Sequence, residues 1–396
     1  MVLGRREFLK TAGTLATAGM PSLAAERKPN VLLIEASGWR ANDAELNAPN
    51  LERLASQGIR FDRAYSCCPV QLPSRAALMT GRFPWASNGL DLPSLGGELK
   101  KAGYRTGFAG KWTPERPAEL RRRGFDYSGM DLGIDFLKQK SENPFFLFVA
   151  LDGPRTAPLR SARLRGGSAF KLHPNVPEDS RERAQIEYAL YYALCSALDK
   201  SIGDLIKAIE GQRAETIVLF TSDYGELLGS QGLDDADAPF EEAARVPLVI
   251  RDPRLKAADQ AGDFLVSHVD LMSTLLGLCG VEIPDGVQGR DLSSLISTGQ
   301  GNRPESIYCA GGLGTGGEWR MVVRGLDKLV VDRKSEVTHL YNLGQDPYEL
   351  DDRAGDPSQE LKRDELKALL GDWMRRSGDG MDPSGLKKRA GLKRRG

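Results

Sequence analysis

The 396-residue chain predicts an α/β fold, a mostly parallel sheet sandwiched by helices, followed by a smaller C-terminal α+β subdomain of antiparallel strands and a terminal helix. Three observations predict it. Short apolar runs such as Asn-Val-Leu-Leu-Ile at 30–34 are bounded by polar residues, as strands buried on both faces of a parallel sheet are. A long stretch over 181–210 carries apolar residues at helical spacing between two such runs. After about Gln300 the apolar runs are joined by tight turns instead.

In chain order, 30–34 is the first strand. A helix over 49–57 follows: Pro49 sits at its start, Leu51, Leu54 and Ala55 share one face, and Gly58 ends it. Further strands are expected over 104–109, 145–151, 216–221 and 246–250. Strands alternating with helices imply crossover connections and a sheet covered on both sides, with any active site at the strands' carboxyl ends. The run WRMVVRGLDKLVV at 319–331 reads as a hairpin turning at Gly325 to Asp327, and a last helix is expected over 359–376. The domain boundaries so read are 27–299 and 300–376. The remainder, 377–396, has no apolar pattern and ends in Lys387, Lys388, Arg389, Lys393, Arg394 and Arg395. It is expected to be a disordered, solvated tail, with attraction to polyanions as the alternative.

Fifty-four basic residues balance 54 acidic ones, so no global field points to nucleic acid. The hydrophobic fraction, 40%, is that of an ordinary globular protein. No apolar run reaches the ~20 residues of a membrane span. At the N-terminus Arg5-Arg6-Glu7-Phe8-Leu9-Lys10 matches a twin-arginine pattern, followed by a small-residue, weakly apolar stretch over 11–23 and by Ser22-Leu23-Ala24. That order predicts a signal peptide over 1–25 and a periplasmic or extracellular location reached by the twin-arginine route. The alternative is a short amphipathic helix kept on the mature chain. Cys67, Cys68, Cys195, Cys279 and Cys309 are an odd set with an adjacent pair that rarely reaches disulfide geometry, so they form no disulfide framework.

The stretch PVQLPSRAALMTGRFP at 69–84 resembles the sulfatase signature, in which Cys or Ser is followed by x-P-S-R-x-x-L-x-T-G. Lys28 to Ile34, Ala48-Pro49-Asn50-Leu51, Gly58-Ile59-Arg60-Phe61, Ala109-Gly110-Lys111-Trp112, Thr221 to Glu226, Phe240 to Pro247, Val269 to Met272 and Leu340 to Leu343 resemble further sulfatase blocks in family order. The resemblance covers roughly 28–370. It implies an alkaline-phosphatase-like α/β sandwich, sulfuric ester hydrolysis, a formylglycine nucleophile and calcium.

Carried over by position, the chemical residues depart from that pattern. Gln71 fills the nucleophile slot, and its amide cannot be oxidised to an aldehyde. Two adjacent aspartates are expected just after the first strand, where Ser37 and Gly38 stand; of the later pair, Asp223 remains and Tyr224 replaces a histidine or asparagine. A calcium site with one carboxylate of three is degraded, since calcium takes ~6–8 oxygen ligands. Glu35 and Glu226 are the acids nearest in sequence. Arg75 and Lys111 keep the family's cations; Thr113 and Arg155 stand where histidines are usual, and the second lysine's place falls near Ala236. His173, His268 and His339 occupy none of these slots and read as structural.

The leading reading is an exported sulfatase-like pseudoenzyme whose cleft holds a sulfated or carboxylated saccharide, or a partner protein, through Arg75, Lys111 and Arg155. Against it, the same residues have purely structural jobs, Arg75 paired with Asp223 and Lys111 with Glu35 or Glu226. A second reading is an active sulfuric or phosphoric ester hydrolase without formylglycine, using Ser37, Thr113 or Tyr224, none with a base partner visible in sequence. A third is an interaction module that partners active sulfatases.

Overall fold

The computed structural model describes residues 27–41, 43, 46–86, 92–111, 117–155, 170–212, 215–234, 236–255, 262–382 and 386. The signal peptide expected over 1–25, Thr113 and the basic run over 387–396 lie outside the described residues. Of the tail expected to be disordered over 377–396, the described part instead packs on the protein: Ser377 ends the last helix, Asp379 is 2.5 Å from Arg320 Nε and Leu386 is buried in the core. In chain order the elements are β1 (Asn30–Gly38), α1 (Pro49–Ser56), β2 (Ile59–Arg60), β3 (Ala64–Tyr65), α2 (Gln71–Thr80), α3 (Leu95–Lys101), β4 (Arg105–Gly110), α4 (Pro117–Arg122), β5 (Tyr127–Gly129), α5 (Ile134–Lys138), β6 (Phe145–Pro154), α6 (Arg181–Ile209), β7 (Thr216–Gly225), α7 (Glu241–Ala244), β8 (Arg245–Val246), β9 (Leu248–Arg251), β10 (Val266–Ser267), α8 (His268–Leu278), α9 (Ser293–Thr298), β11 (Ser306–Gly311), β12 (Trp319–Arg324), β13 (Asp327–Asp332), β14 (Val337–Asn342) and α10 (Glu360–Ser377).

Seven strands form the central sheet in the order β2-β9-β7-β1-β6-β4-β5. β1 lies at its middle and pairs in parallel with β6 and β7. All nine residues of β1 are buried. Its side chains alternate: Leu32, Ile34 and Ala36 enter the core that includes Tyr188, Tyr191, Ile202 and Leu205 of α6. Val31 and Leu33 enter the opposite core, with Leu78 and Met79 of α2 and Leu271, Met272 and Leu275 of α8. Helices therefore cover both faces, as expected. At its carboxyl end the register of β1 shifts between Glu35 and Ser37 against β6, and between Ala36 and Gly38 against β7. Such irregularities re-aim side chains at the end of a strand.

The strand expected over 246–250 is divided. Pro247 has no N–H to give a ladder, so the chain breaks there. β8 joins a small sheet with β3 and β10, and β9 runs antiparallel to β7 in the central sheet. The N-terminus of α1 has no side-chain cap of its own; Asp199 of α6 supplies one, accepting from the backbone of Asn50 at 3.0 Å and of Leu51 at 2.9 Å. The hairpin in the C-terminal part is as expected, with β12 and β13 paired from Trp319–Asp332 to Arg324–Asp327, and β11 to β14 make a separate antiparallel sheet covered by α10. Among the described residues no helix is long and apolar enough to cross a membrane.

His268, at the start of α8, ties the helical layer to the sheet. Its Nδ1 lies 2.8 Å from Ser74 Oγ in α2 and its Nε2 3.1 Å from Thr221 Oγ1 in β7. Burial lowers its pKa to about 3. Between that value and the ordinary ~6.5 the unfolded chain takes up a proton that the folded chain refuses, so stability is full above ~6.5 and falls as pH drops. His268→Gln, which does not titrate, is expected to remove about 2 kcal/mol of the stability difference between pH 7 and pH 5. Urea unfolding at the two pH values measures it; an unchanged difference would contradict the assignment.

Candidate functional site

The site stands at the carboxyl ends of β1, β7, β4 and β6 and the amino end of α2. Gln71 is the first residue of α2, and its Nε2 donates to Ser37 Oγ at 3.1 Å. Ser37 Oγ donates in turn to Asp223 Oδ2 at 2.8 Å. The other oxygen of Asp223, Oδ1, accepts from the backbone of Gly38 at 3.2 Å and of Tyr224 at 2.9 Å. The Tyr224 phenol meets Ser37 on one side and Arg155 on the other. Burial raises its pKa, and the charges of Asp223 and Glu226 add to that.

Behind this chain of hydrogen bonds lies a buried ion pair. Arg75 Nε is 2.5 Å from Glu35 Oε2, with both side chains almost wholly removed from solvent. Arg75 Nη1 donates to the Lys111 carbonyl at 3.1 Å, and Nη2 is 4.0 Å from Asp223 Oδ2. One guanidinium thus faces two carboxyls. Burial raises the pKa of both acids, and Arg75 opposes the rise; at Asp223 the neighbouring Glu35 adds to it. The sequence expectation paired Arg75 with Asp223 alone; its close partner is Glu35, which shares a face of β1 with Leu33 and so points toward α2.

Lys111 pairs with neither Glu35 nor Glu226. Its Nζ is 3.0 Å from Asp152 Oδ2, and Arg155 Nη2 is 3.0 Å from Asp152 Oδ1. Burial works against the Asp152 carboxylate, yet the hydrogen bonds and charges of Lys111 and Arg155 outweigh it and lower its pKa. Unlike the Arg75 pair, this group is open to solvent: the Lys111 and Asp152 side chains are 41% and 42% exposed. Asp152 was missed in sequence, although an acid three residues before Arg155 at a strand's end was a readable signal.

Gly38, beside Ser37, is tightly surrounded. Its φ is +94°, and a Cβ there would meet Glu226 Cγ at 3.0 Å, Glu226 Oε1 at 3.1 Å and Arg155 Cγ at 3.4 Å. An aspartate at 38 would be strained at this φ and would press on the Glu226 and Arg155 side chains. As a calcium site the arrangement does not fit. The Asp223 oxygens and Ser37 Oγ are turned toward N–H and O–H donors, and a guanidinium stands beside the carboxylates where the second positive charge would have to be. Among the described residues no group of three or more His, Cys, Asp or Glu side chains is placed to hold a metal ion.

A family model described as Sulfatase matches residues 29–129 and 114–281. With this coverage and the fold above, the chain belongs to the sulfatase family, within the alkaline-phosphatase-like superfamily. It is 28% identical over 421 aligned residues to an ulvan-active sulfatase of Formosa agariphila, covering 89% of this chain and 82% of that one. It is 26% identical to an endo-4-O-sulfatase of Bacteroides thetaiotaomicron, covering 63% and 66%. The solved structure of a 2-O GAG sulfatase superimposes with a TM-score of 0.80 at 21% identity, over 91% of this chain and 96% of that one, a likeness of fold.

Removing one partner of a buried ion pair strands the other charge. Arg75→Met is expected to cost about 3–5 kcal/mol, and Glu35→Leu combined with Arg75→Met to recover most of that. Guanidinium denaturation of the single and double variants measures both. A double variant as unstable as Arg75→Met alone would show that Arg75 matters for something other than Glu35.

Proposed function

We propose that this sulfatase-family chain is a pseudoenzyme: it does not hydrolyse sulfate esters by the formylglycine route, and it binds sulfated or other anionic saccharides at the Lys111–Arg155 edge of its cleft. The observation that carries this is the hydrogen-bond chain Gln71–Ser37–Asp223, in which an amide and a hydroxyl fill the nucleophile and metal positions. An amide is neither an aldehyde precursor nor a nucleophile, and no calcium is needed to balance a cluster that Arg75 already serves. Binding is supported by two solvent-facing cations sharing a single carboxylate, so that one positive charge is left for an oxyanion. That the ulvan-active sulfatase and the endo-4-O-sulfatase are named for activity on sulfate esters supports the ligand class. We also propose export by the twin-arginine route, supported by Arg5-Arg6 and the small-residue stretch behind them.

One observation favours the alternative of a formylglycine-independent hydrolase. In space, unlike in sequence, Ser37 does have a base partner: a carboxylate 2.8 Å from its hydroxyl. Against it, Ser37 is fully buried, beneath Gln71 and Tyr224. Sulfate release from an aryl sulfate and from ulvan, with calcium present, separates the readings. Wild type is expected to match Gln71→Ala and Ser37→Ala at background, and Gln71→Cys, even after formylglycine installation, to remain there. Turnover lost only in Ser37→Ala would establish the hydrolase.

The binding half of the proposal has its own check. Lys111→Ala with Arg155→Ala is expected to weaken binding of a short sulfated oligosaccharide about tenfold, as loss of two charged contacts does. Calorimetric titration reads it, and equal affinities would remove this edge as the ligand site.

A further inference from the structure

A second groove lies at the other end of the central sheet. It is walled by the amino ends of β1, β4 and β6, the C-terminal turn of α5, the connection over 139–144 and the end of α6. Its volume is ≈ 760 Å³, within the roughly 300–1,000 Å³ usual for ligand sites. Five basic side chains, Arg27, Lys28, Arg105, Lys138 and Lys140, line it against one acid, Glu142. In a chain with no net charge this is a local concentration of one sign, and walls of low dielectric strengthen such a field.

The five cations divide into two kinds. Lys28 and Arg105 are committed to the fold. Lys28 Nζ donates to the Ala102 carbonyl at 3.0 Å. Arg105 donates to Gln139 Oε1 at 2.8 Å and to the Phe136 carbonyl, with its guanidinium 4.4 Å from the Phe136 ring. Arg27, Lys138 and Lys140 are exposed, and among the described residues their side chains have no hydrogen-bond or ion-pair partner. Neutral polar side chains, Gln139, Ser141, Asn143 and Gln212, line it as well, with Pro144 and Ala208. Gln139 Oε1 accepts from Arg105, Gln212 Nε2 donates to the Leu137 carbonyl and Ser141 Oγ accepts from the Asn143 backbone, which fixes three of them in place.

We propose that this groove is a binding site for a sulfated polysaccharide chain, separate from the Lys111–Arg155 edge. The three uncommitted cations match sulfate groups, the remaining polar atoms of the amides and hydroxyl match sugar hydroxyls, and Pro144 and Ala208 offer apolar surface to the C–H faces of sugar rings. A lipid surface is less well served, because the site is concave and its amides have no role there. β6 is ten residues long, so the two sites stand about 30 Å apart at opposite ends of the sheet. The proposal does not require the front edge to bind anything.

The test uses the full chain and fluorescein-labelled heparin as the probe, read by anisotropy across a salt series. Lys138→Glu with Lys140→Glu is expected to weaken heparin at least tenfold and flatten the salt dependence, with Tm unchanged. The same factor is expected in a Lys111→Ala, Arg155→Ala background, which separates failure of this site from failure of the front one. Hydrogen exchange over 138–144 supplies a readout local to the groove, independent of the basic run over 387–396, and is expected to slow when heparin is added. Unchanged affinity in the double reversal, or unchanged exchange over 138–144, would overturn the proposal. So would desulfated heparin, polyglutamate or phosphatidylglycerol vesicles binding the groove as tightly as heparin.

Discussion

Asp223 is the point at which the upper end of the sheet is joined together. Its carboxylate takes a hydroxyl and a backbone N–H from β1 and a backbone N–H from its own strand, β7, and it faces the guanidinium of α2. Two neighbouring parallel strands and a helix are thereby cross-linked where the register between the strands slips, between the Ala36–Ser222 and Gly38–Gly225 pairs. A buried carboxylate is tolerated only when its lone pairs are met. The structure meets them from inside the chain, with Ser37 relaying to Gln71, and the geometry that satisfies Asp223 is the same geometry that leaves it little to offer a cation.

The distribution of charge follows from that constraint. In the buried layer two carboxyls share Arg75, and both are pushed toward their protonated forms. In the exposed layer the ratio is reversed: two cations share Asp152, whose charge they hold in place. An anion approaching the cleft therefore meets the exposed layer first. Tyr224 lies between the layers, meeting Ser37 and Arg155, and Gly38 leaves room for Glu226 and Arg155. Ser37, Gly38, Gln71, Arg155 and Tyr224 are thus mutually accommodated in one packed arrangement.

Much of the fold was legible because burial writes itself into composition. The all-apolar run at 30–34, the 3.6-residue spacing through α6 and the Gly325 turn each have a local cause, and each element lies within a few residues of its expected place. The exceptions are local chemistry acting at a distance. The 246–250 strand was divided because Pro247 withholds one N–H, which sends its two halves to different sheets. The α1 cap could not be read from its own neighbourhood, because Asp199 comes from a helix about 150 residues away in the chain.

From the order of motifs along the chain alone, Gln71, Ser37, Gly38 and Tyr224 are expected to lie together, and the structure places them within one hydrogen-bonded group. The fold class also follows from the sequence, through periodicity and alternation. Which charges meet is settled by the packing of the strands. Arg75 went to Glu35 and Lys111 to Asp152, because side-chain pairing depends on the face of β1 from which Glu35 projects and on the height at which β4 and β6 end, and neither is encoded in spacing along the chain. The same packing gathers Arg27, Lys138 and Lys140 into one groove, because parallel strands bring their amino ends to a common edge however far apart they lie in sequence.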